Sequence, residues 1–271
     1  MQVRLNPMRP NGSSLRAGAH CSSGFDVVTP WHRHDMHQLL YAFEGSVVVE
    51  GLRGCYKVPR QFAAWIPAGA AHRTTIQNVA SGSVFICPSM LSCTADSPRI
   101  IPAPLLMRQM VMHAMRWPLD RSADTATSAA YFECLARLCE EWIAQEVKLV
   151  LPVSEDPKTS AIMTYTGERL ATVSLLAVCR ALGMSARSLR RHFLKEVGMT
   201  WEEYRQRLRI CQALDLLEQT TRRIGDIAAV IGYENQAAFA RTFRSVVGMT
   251  PSEYRRQQLI VLPTGPAGVI S

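Results

Sequence analysis

The chain has 271 residues, of which 48% are hydrophobic and 19% are charged, so it carries enough apolar side chains to bury cores and is not a disordered polymer. Its longest apolar runs are far shorter than the ~18 residues that a membrane-spanning helix requires, and its first residues lack the apolar stretch of a signal peptide. We therefore expect a cytoplasmic protein without membrane contacts.

The formal net charge of +8 is distributed unevenly along the chain. Residues 1–155 carry 14 basic and 12 acidic side chains, whereas residues 156–271 carry 16 basic and 10 acidic ones, and 14 of those 16 are arginine. Arginine binds phosphate and guanine through paired hydrogen bonds, so an arginine-rich half indicates a nucleic-acid partner. A basic surface that only faces solvent is the alternative that composition leaves open.

Short strands are predicted over about the first ninety residues. The segment HQLLYAFEGSVVVEG alternates around a turn at Glu44 and Gly45, and CYKVP, FAAWIPAG, HRTTIQN and SVFIC follow at short intervals. Many short strands separated by glycine or proline are typical of a sandwich or a barrel.

Three histidines are placed to converge within these strands. His32 and His34 share one face of a strand because side chains alternate, and His72 follows a Pro-x-Gly turn that can bring it beside them from another strand. Three neutral imidazoles suit a divalent transition metal. The alternatives are that the same side chains line a pocket for a small-molecule effector, or that they hydrogen-bond within the core.

The segments HRHDMHQ and PAGAAH resemble the cupin pattern, in which two histidines, a glutamate and a later histidine bind a metal. The resemblance implies a cupin-like β-barrel with a site formed by His32, His34, Gln38 and His72. Gln38 stands in place of the glutamate, and Ile76 in place of the asparagine that often closes the second motif. We expect these four side chains to bind a small-molecule effector, with a divalent transition metal as the alternative ligand. No other cofactor is predicted.

Helical periodicity replaces the strands from about Pro104. Two helices are predicted, one ending near Pro118 and one over 128–147, which either cover the barrel or form a dimer seam. The segment LPVSEDPK has two prolines and no periodicity, so we predict a linker at 153–160. The predicted organisation is α+β with two domains. A sensing and dimerisation domain at 1–152 precedes an all-α DNA-binding domain at 161–258 and a tail at 259–271.

The helical half contains an internal repeat. GMSARSLRRHFLKEVGMTWEEYR at 183–205 matches GYENQAAFARTFRSVVGMTPSEYR at 232–255. In each copy a short apolar helix leads to a glycine, Gly183 or Gly232, that permits a left-handed turn, and a serine or asparagine N-cap then starts a second helix. Helix, short turn with glycine and helix is the helix-turn-helix arrangement.

The second helix of each copy carries an outward face. A pair of apolar residues four apart faces inward, so the residues between them face out. Arginine reads guanine and glutamine reads adenine in the major groove, so we predict base contacts from Arg187, Arg190, Arg191, Gln236 and Arg241. The second copy has Ala237, Ala238 and Ala240 on this helix, which indicates either contacts with thymine methyl groups or, as we favour, weaker base reading by that copy. A charged face exposed only to solvent is the alternative.

The helical half resembles the AraC/XylS family of bacterial transcription regulators. The matching segments are LGMSARSLRRHF, LRICQALDLL and RIGDIAAVIGYENQAAFARTFRSVVGMTPSEYR, and the similarity covers 158–256. Membership implies that a rigid helix over 200–218 joins two recognition helices, which enter successive major grooves about 34 Å apart. It also implies a homodimer and contact with RNA polymerase, and it places Asn235 on phosphate. Arg222 and Arg223, which open the second copy, are predicted phosphate contacts.

These observations predict a sequence-specific transcription regulator of double-stranded DNA, an activator by family tendency, whose barrel senses a small molecule. The rival interpretation is a metal-dependent cupin enzyme with an accessory helical domain. The missing ligand carboxylate disfavours it, and only Asp35 and Glu44 lie near the histidines in sequence as acid or base groups. A third interpretation is DNA binding without sequence choice. No catalytic residue is predicted.

Overall fold

The computed structural model describes residues 4–6, 15–22, 26–43, 46–52, 54–59, 61–76, 80–92, 96–147 and 149–259. It divides into two compact units. The first contains the described residues of 1–52 and 56–148, and the second those of 53–55 and 149–259. The predicted turn at Glu44 and Gly45 lies outside the described residues, as does the tail from residue 260 onward.

The described strands lie between residues 4 and 102, so β11 extends beyond the ninety residues for which strands were predicted. Among the described residues they are β1 (Arg4–Asn6), β2 (Ala17–Ser22), β3 (Val27–Val28), β4 (His32–His34), β5 (His37–Ala42), β6 (Ser46–Gly51), β7 (Gly54–Pro59), β8 (Phe62–Ile66), β9 (His72–Ile76), β10 (Ser81–Ile86) and β11 (Arg99–Pro102). A short 3₁₀ helix, Pro88–Met90, separates β10 from β11.

The strands form two sheets. The first has the order β1-β4-β9-β6-β7, with β3 also paired to β9, and the second is antiparallel with the order β11-β8-β5-β10-β2. The expected strand-rich domain is confirmed, and within the described residues its strands form two sheets that no ladder closes into a barrel. The edge strands β2 and β11 both contact a helix.

The second sheet is buried on both faces. Every residue of β5, β8 and β10 is buried. On one face Leu39, Trp65 and Val84 form an apolar core with two helices, α1 (Leu105–Ala114) and α2 (Ala126–Ile143). These helices therefore cover the sheet, one of the two roles that the sequence left open.

The second unit is helical from residue 157 to residue 259, with short loops between its helices. Its helices are α3 (Pro157–Glu168), α4 (Leu175–Ala181), α5 (Ala186–Val197), α6 (Trp201–Gln219), α7 (Ile224–Val230), α8 (Gln236–Val247) and α9 (Pro251–Leu259). In the described part of the chain, no helix is long and apolar enough to cross a lipid bilayer.

The predicted linker at 153–160 is partly helical. Residues 157–160 form the first turn of α3, because Pro157 suits the first helical position and the Asp156 side chain accepts a hydrogen bond from the Thr159 main-chain N–H at 2.7 Å. Pro157, one of the two prolines that suggested a linker, is therefore the start of a helix.

The two helix-turn-helix units have the predicted turn chemistry. Gly183 and Gly232 adopt left-handed φ values of 61° and 87°. Ser185 caps α5 by accepting from the Ser188 N–H at 3.1 Å, and Asn235 caps α8 in the same way. The helix-turn-helix prediction is thus confirmed in both copies.

We expect alanine to be tolerated far better at Gly183 than at Gly232. Both substitutions place a side chain in the left-handed region, which costs ~1–2 kcal/mol. A Cβ on Gly183 has nothing within 4 Å, whereas one on Gly232 would lie 2.1 Å from the Ala171 carbonyl oxygen. Urea unfolding should therefore show Gly232→Ala to be less stable than Gly183→Ala by a further ~1–3 kcal/mol. Equal losses would contradict the close approach at Gly232.

Candidate functional site

Helix α5 buries one face and exposes the other. Leu189 and Phe193 are fully buried in an apolar cluster with Trp201. Arg187 and Arg191 are exposed and have no hydrogen-bond or ion-pair partner within the described part of the chain. The structure thus places these two predicted base-reading side chains on the outward face of the helix.

The third predicted side chain of α5, Arg190, has a partner. Its Nη2 and Nε atoms donate to Oε1 of Glu202, on α6, at 2.9 and 3.2 Å. Both side chains are exposed, at 58% and 41%, so solvent screens the pair and it contributes at most ~1 kcal/mol. The pair therefore holds the Arg190 side chain only weakly.

The second recognition helix, α8, has the same construction. Phe239 and Phe243 are fully buried, while Gln236 and Arg241 are exposed. The Oδ1 atom of Asn235 accepts from the Ala238 N–H at 2.8 Å, so its carbonyl oxygen serves the helix and only its amide N–H groups remain for a phosphate.

Two exposed cations on these faces were missed by the sequence analysis. Lys195 follows Arg191 by four residues on α5, and Arg244 follows Arg241 by three on α8. Each lies one helical turn beyond the last predicted base-reading residue of its helix. Their i+3 or i+4 spacing is the sequence signal that could have identified them. Leu194, 50% exposed, occupies the position in α5 that corresponds to Arg244.

The loop between α6 and α7 carries the predicted phosphate contacts. Arg222 and Arg223 are both exposed there. The Arg255 side chain donates to the Arg222 carbonyl at 2.6 Å, which ties this loop to α9. Both loop side chains are therefore exposed to solvent, on a loop that a hydrogen bond fixes to α9.

The three histidines of the first unit come together between strands β4 and β9. His32 and His72 are direct partners in the antiparallel register, and their ring centroids are 4.3 Å apart. The His34 ring lies 5.0 Å from His72 and 6.1 Å from His32. One ring nitrogen from each of the three lies within 4.8 Å of the others.

The same kind of hydrogen bond fixes each of the three rings. In each one, Nδ1 contacts a main-chain carbonyl oxygen two residues away: His32 with Pro30 at 2.9 Å, His34 with Met36 at 2.5 Å and His72 with Ala70 at 3.0 Å. A carbonyl can only accept, so each Nδ1 carries the hydrogen and, in the neutral ring, each Nε2 carries a lone pair. Ligand histidines in metal sites are oriented in this manner.

Gln38 connects this cluster to the second sheet. Its Oε1 lies 3.0 Å from His34 Nε2, and its Nε2 donates to Ser83 Oγ at 2.8 Å. Because His34 Nε2 carries a lone pair, two acceptor atoms face each other at 3.0 Å. A cation bound by both resolves this opposition, and so does a 180° rotation of the amide.

Burial keeps the inner two rings neutral. His34 and His72 are buried, and this burial lowers the pKa of His34 and lowers that of His72 to about 3. The Nε2 atom of His72 is buried and has no hydrogen-bond partner among the described residues. An unpaired buried acceptor and three ring nitrogens within 4.8 Å of one another fit a divalent metal, so the residues present are compatible with the metal of the cupin pattern.

The neighbouring His37 does not belong to the cluster. Its ring stacks on Trp65 with centroids 5.1 Å apart, and its Nδ1 accepts from the Ala68 N–H. Burial, followed by the proximity of His34, lowers the pKa of His37 to about 4.

Comparison with known proteins finds a family model that matches part of the helical half and relatives that match most of the chain. A family model for a helix-turn-helix domain matches residues 178–257. The HTH-type transcriptional regulator NimR of Escherichia coli is 27% identical over 267 residues, which cover 97% of this chain and 96% of that protein. The HTH-type transcriptional activator RhaR of Klebsiella pneumoniae is 42% identical over 248 residues, covering 83% and 87% respectively.

Two solved structures are also similar. The C-terminal domain of AraT, a response regulator from Geobacillus stearothermophilus, is 27% identical and covers 38% of this chain and 86% of that one, with a TM-score of 0.37. ToxT from Vibrio cholerae is 12% identical and covers 89% and 97%, also with a TM-score of 0.37.

The similarity to RhaR extends over both units, and the matched helix-turn-helix model coincides with the duplicated recognition helices. The chain belongs to the AraC family of DNA-binding transcription regulators.

Proposed function

We propose that this regulator reads its operator through α5 and α8 and that its N-terminal unit senses a small-molecule effector at the histidine cluster. The observation that carries the proposal is the duplicated recognition helix, each copy held by buried aromatic residues and presenting exposed cations. A helix of this kind enters the major groove, where arginine and glutamine side chains reach base edges.

The exposed residues divide into two roles. Arg187, Arg190 and Arg191 on α5 contact bases together with Gln236 and Arg241 on α8. In a separate group, Arg222, Arg223 and Asn235 hold phosphates, because they lie on the loop before α7 and at the N-terminus of α8. The first copy presents more arginine than the second, which supports stronger base reading by α5.

The histidine cluster is proposed as the effector site because it is a polar network inside an apolar interior. His34, Gln38 and Ser83 are all buried, and they link the facing sheets of the first unit. An effector bound there changes transcription only if it prefers the DNA-competent arrangement, in which case it shifts the population toward that state.

The remaining partners follow from the same proposal. Leu105 and Leu106 on α1 are 55% and 54% exposed, and we assign them to a homodimer interface. RhaR is named a transcriptional activator, which supports activation through RNA polymerase here as well. Chromosomal DNA as partner supports a cytoplasmic site of action. The rival interpretation as a metal-dependent enzyme has no support in the comparisons, whose members are named regulators.

Sequence-specific binding is tested by competition. In a gel-shift experiment, DNA from the upstream region of the protein's own gene should compete far better than random duplex of the same length. Specific binding typically exceeds non-specific binding by a factor of 10³ or more. Equal competition would instead indicate DNA binding without sequence choice.

We expect Arg190→Ala to relax specificity at one base position, with a loss of ~1–3 kcal/mol that is confined to the preferred base. Measuring affinities for a set of single-base operator variants checks this. Glu202→Gln is the matched control, because it breaks the same exposed pair but leaves the guanidinium in place. It should retain the base preference. An unchanged preference in Arg190→Ala would remove this residue from the base-reading set.

Arg222→Ala should behave differently. A lost phosphate contact weakens binding to all sequences alike and lowers the slope of log K against log salt by about one. Affinity measured at several salt concentrations, on operator and random duplex, checks this. A loss confined to the operator would assign Arg222 to base reading.

A further inference from the structure

Arg209, on the helix α6 that joins the two helix-turn-helix copies, contacts both of them. Its Nε and Nη2 atoms donate to the Leu170 carbonyl at 3.3 and 3.2 Å, and Nη2 also donates to the Ala171 carbonyl at 3.2 Å. Its guanidinium carbon lies 5.5 Å from the centre of the Tyr233 ring, close enough for a cation–π interaction. Leu170 and Ala171 lie in the loop that leads into the first copy, whereas Tyr233 lies in the turn of the second copy.

The groups that Arg209 contacts are anchored in the cores of their own copies. The loop over 170–173 ends at Val173, which is buried in the same apolar cluster as Phe193 of α5. The Tyr233 ring packs on Phe239 of α8 with centroids 5.5 Å apart, and the Tyr233 side chain is hydrogen-bonded to Thr242 of the same helix. Arg209 therefore connects a segment that packs with one recognition helix to a residue that packs with the other.

The main chains of the two copies also lie against each other at this point. Gly232, in the turn of the second copy, has a left-handed φ of 87°. A Cβ on this glycine would lie 2.1 Å from the Ala171 carbonyl oxygen and 2.5 Å from Arg209 Nη2, so no side chain fits between them. The Ala171 carbonyl therefore lies against the turn of the second copy, at the point where Arg209 binds it.

Two neighbouring arginines make a similar contact within a single copy. Arg205 Nη1 donates to the Val173 carbonyl at 2.9 Å, just before the first helix of the first copy. At the matching position of the repeat, Arg255 Nη1 donates to the Arg222 carbonyl, just before the first helix of the second copy. These two contacts belong to the internal structure of each copy. The Arg209 contact instead spans the two copies.

The helix α6 by itself leaves the angle between the copies adjustable. Its 19 residues span about 28 Å, and helices of this length commonly bend. A bend in α6 changes the angle between α5 and α8, which must meet major grooves about one turn of DNA, roughly 34 Å, apart. A direct contact between the copies resists such a bend.

We propose that Arg209 is a positioning residue that fixes the separation of the two base-contacting segments of the operator. This inference rests on the proposed function, in which α5 and α8 both read bases. Arg209 fixes the angle between these helices by binding the loop of one copy and the Tyr233 ring of the other. The protein therefore rejects sites that are one base pair longer or shorter, since each base pair moves a segment by about 3.4 Å and rotates it by about a tenth of a turn.

The experiment selects bound molecules from a pool of random-sequence duplexes with the full chain and sequences them. Wild type should enrich two sequence segments at one separation. Insertion of one base pair between them should lower its affinity about tenfold, because one recognition helix then loses its bases. Arg209→Ala should enrich the same two segments at several separations, and the insertion should lower its affinity by less than about threefold. A loss of stability alone would lower the bound fraction without changing the separation.

Three further variants separate the positioning role from charge and from folding. Arg205→Ala is the matched control, because it removes an arginine–carbonyl contact of the same helix within the first copy, and it should keep the wild-type separation. Arg209→Lys keeps the charge but loses the planar group that binds two carbonyls and covers a ring, so it should resemble Arg209→Ala. Tyr233→Leu removes the ring and leaves the guanidinium in place. It should also accept several separations, and it decides the question if Arg209→Ala does not fold.

The positioning role is overturned if Arg209→Ala, Arg209→Lys or Tyr233→Leu keeps the single wild-type separation. It is also overturned if Arg205→Ala broadens the separation as much as Arg209→Ala does. The proposed function fails in a different way. If wild type enriches no segment, or only one, base reading by both helices is wrong and the positioning role falls with it. If wild type enriches two segments and only the variants disagree with expectation, base reading stands and the role of Arg209 alone is wrong.

Discussion

An aromatic contact on the inner side of each recognition helix determines which of its side chains are exposed. Phe193 of α5 packs on Tyr204 with ring centroids 5.4 Å apart, and Phe243 of α8 packs on Tyr254 at 5.7 Å. Burying a phenylalanine contributes ~1.5–3 kcal/mol, so rotating either helix to hide its outer face would cost at least that much. The arginine side chains are exposed because burial of the phenylalanines fixes the rotation of each helix about its axis.

The helices that provide these tyrosines are themselves held at their first turns. Thr200 and Glu203 form a reciprocal capping box at the start of α6, with hydrogen bonds of 2.8 and 3.2 Å, and Thr250 and Glu253 repeat it at α9. Both copies therefore contain the same structural unit, which consists of a glycine turn, a capped recognition helix and an aromatic partner on the next helix.

The two copies differ in an ion pair on the exposed face of the recognition helix. Arg190 in α5 pairs with Glu202, while the corresponding positions in the second copy are Ala240 and Ser252, which cannot form an ion pair. Because both side chains of this pair are exposed, releasing Arg190 from it costs little free energy. In the first unit, by contrast, His34, His72 and Gln38 are buried, so their hydrogen bonds determine which of their polar atoms remain unpaired.

Much of this molecule was predictable because its signals are local. Gly183 and Gly232 mark left-handed turns, Ser185 and Asn235 mark helix starts, and alternation marks strands; each depends on a few neighbouring residues. The start of α3 was predicted as linker because proline is compatible both with a linker and with the first position of a helix. The hydrogen bond from the Thr159 N–H to the Asp156 side chain shows that it begins a helix.

Tertiary structure alone decided the features that depend on distant residues. The sequence by itself determined that His32 and His34 share a face, that the helical half is duplicated and that its outer faces are basic. It could not determine that the strands form two sheets, because pairing is set by which edges meet in space. Nor could it show that three Nδ1 atoms donate to carbonyls, or that Arg190 reaches Glu202. Those contacts arise only when packing brings separate elements together, and they are what orient the side chains on which the function depends.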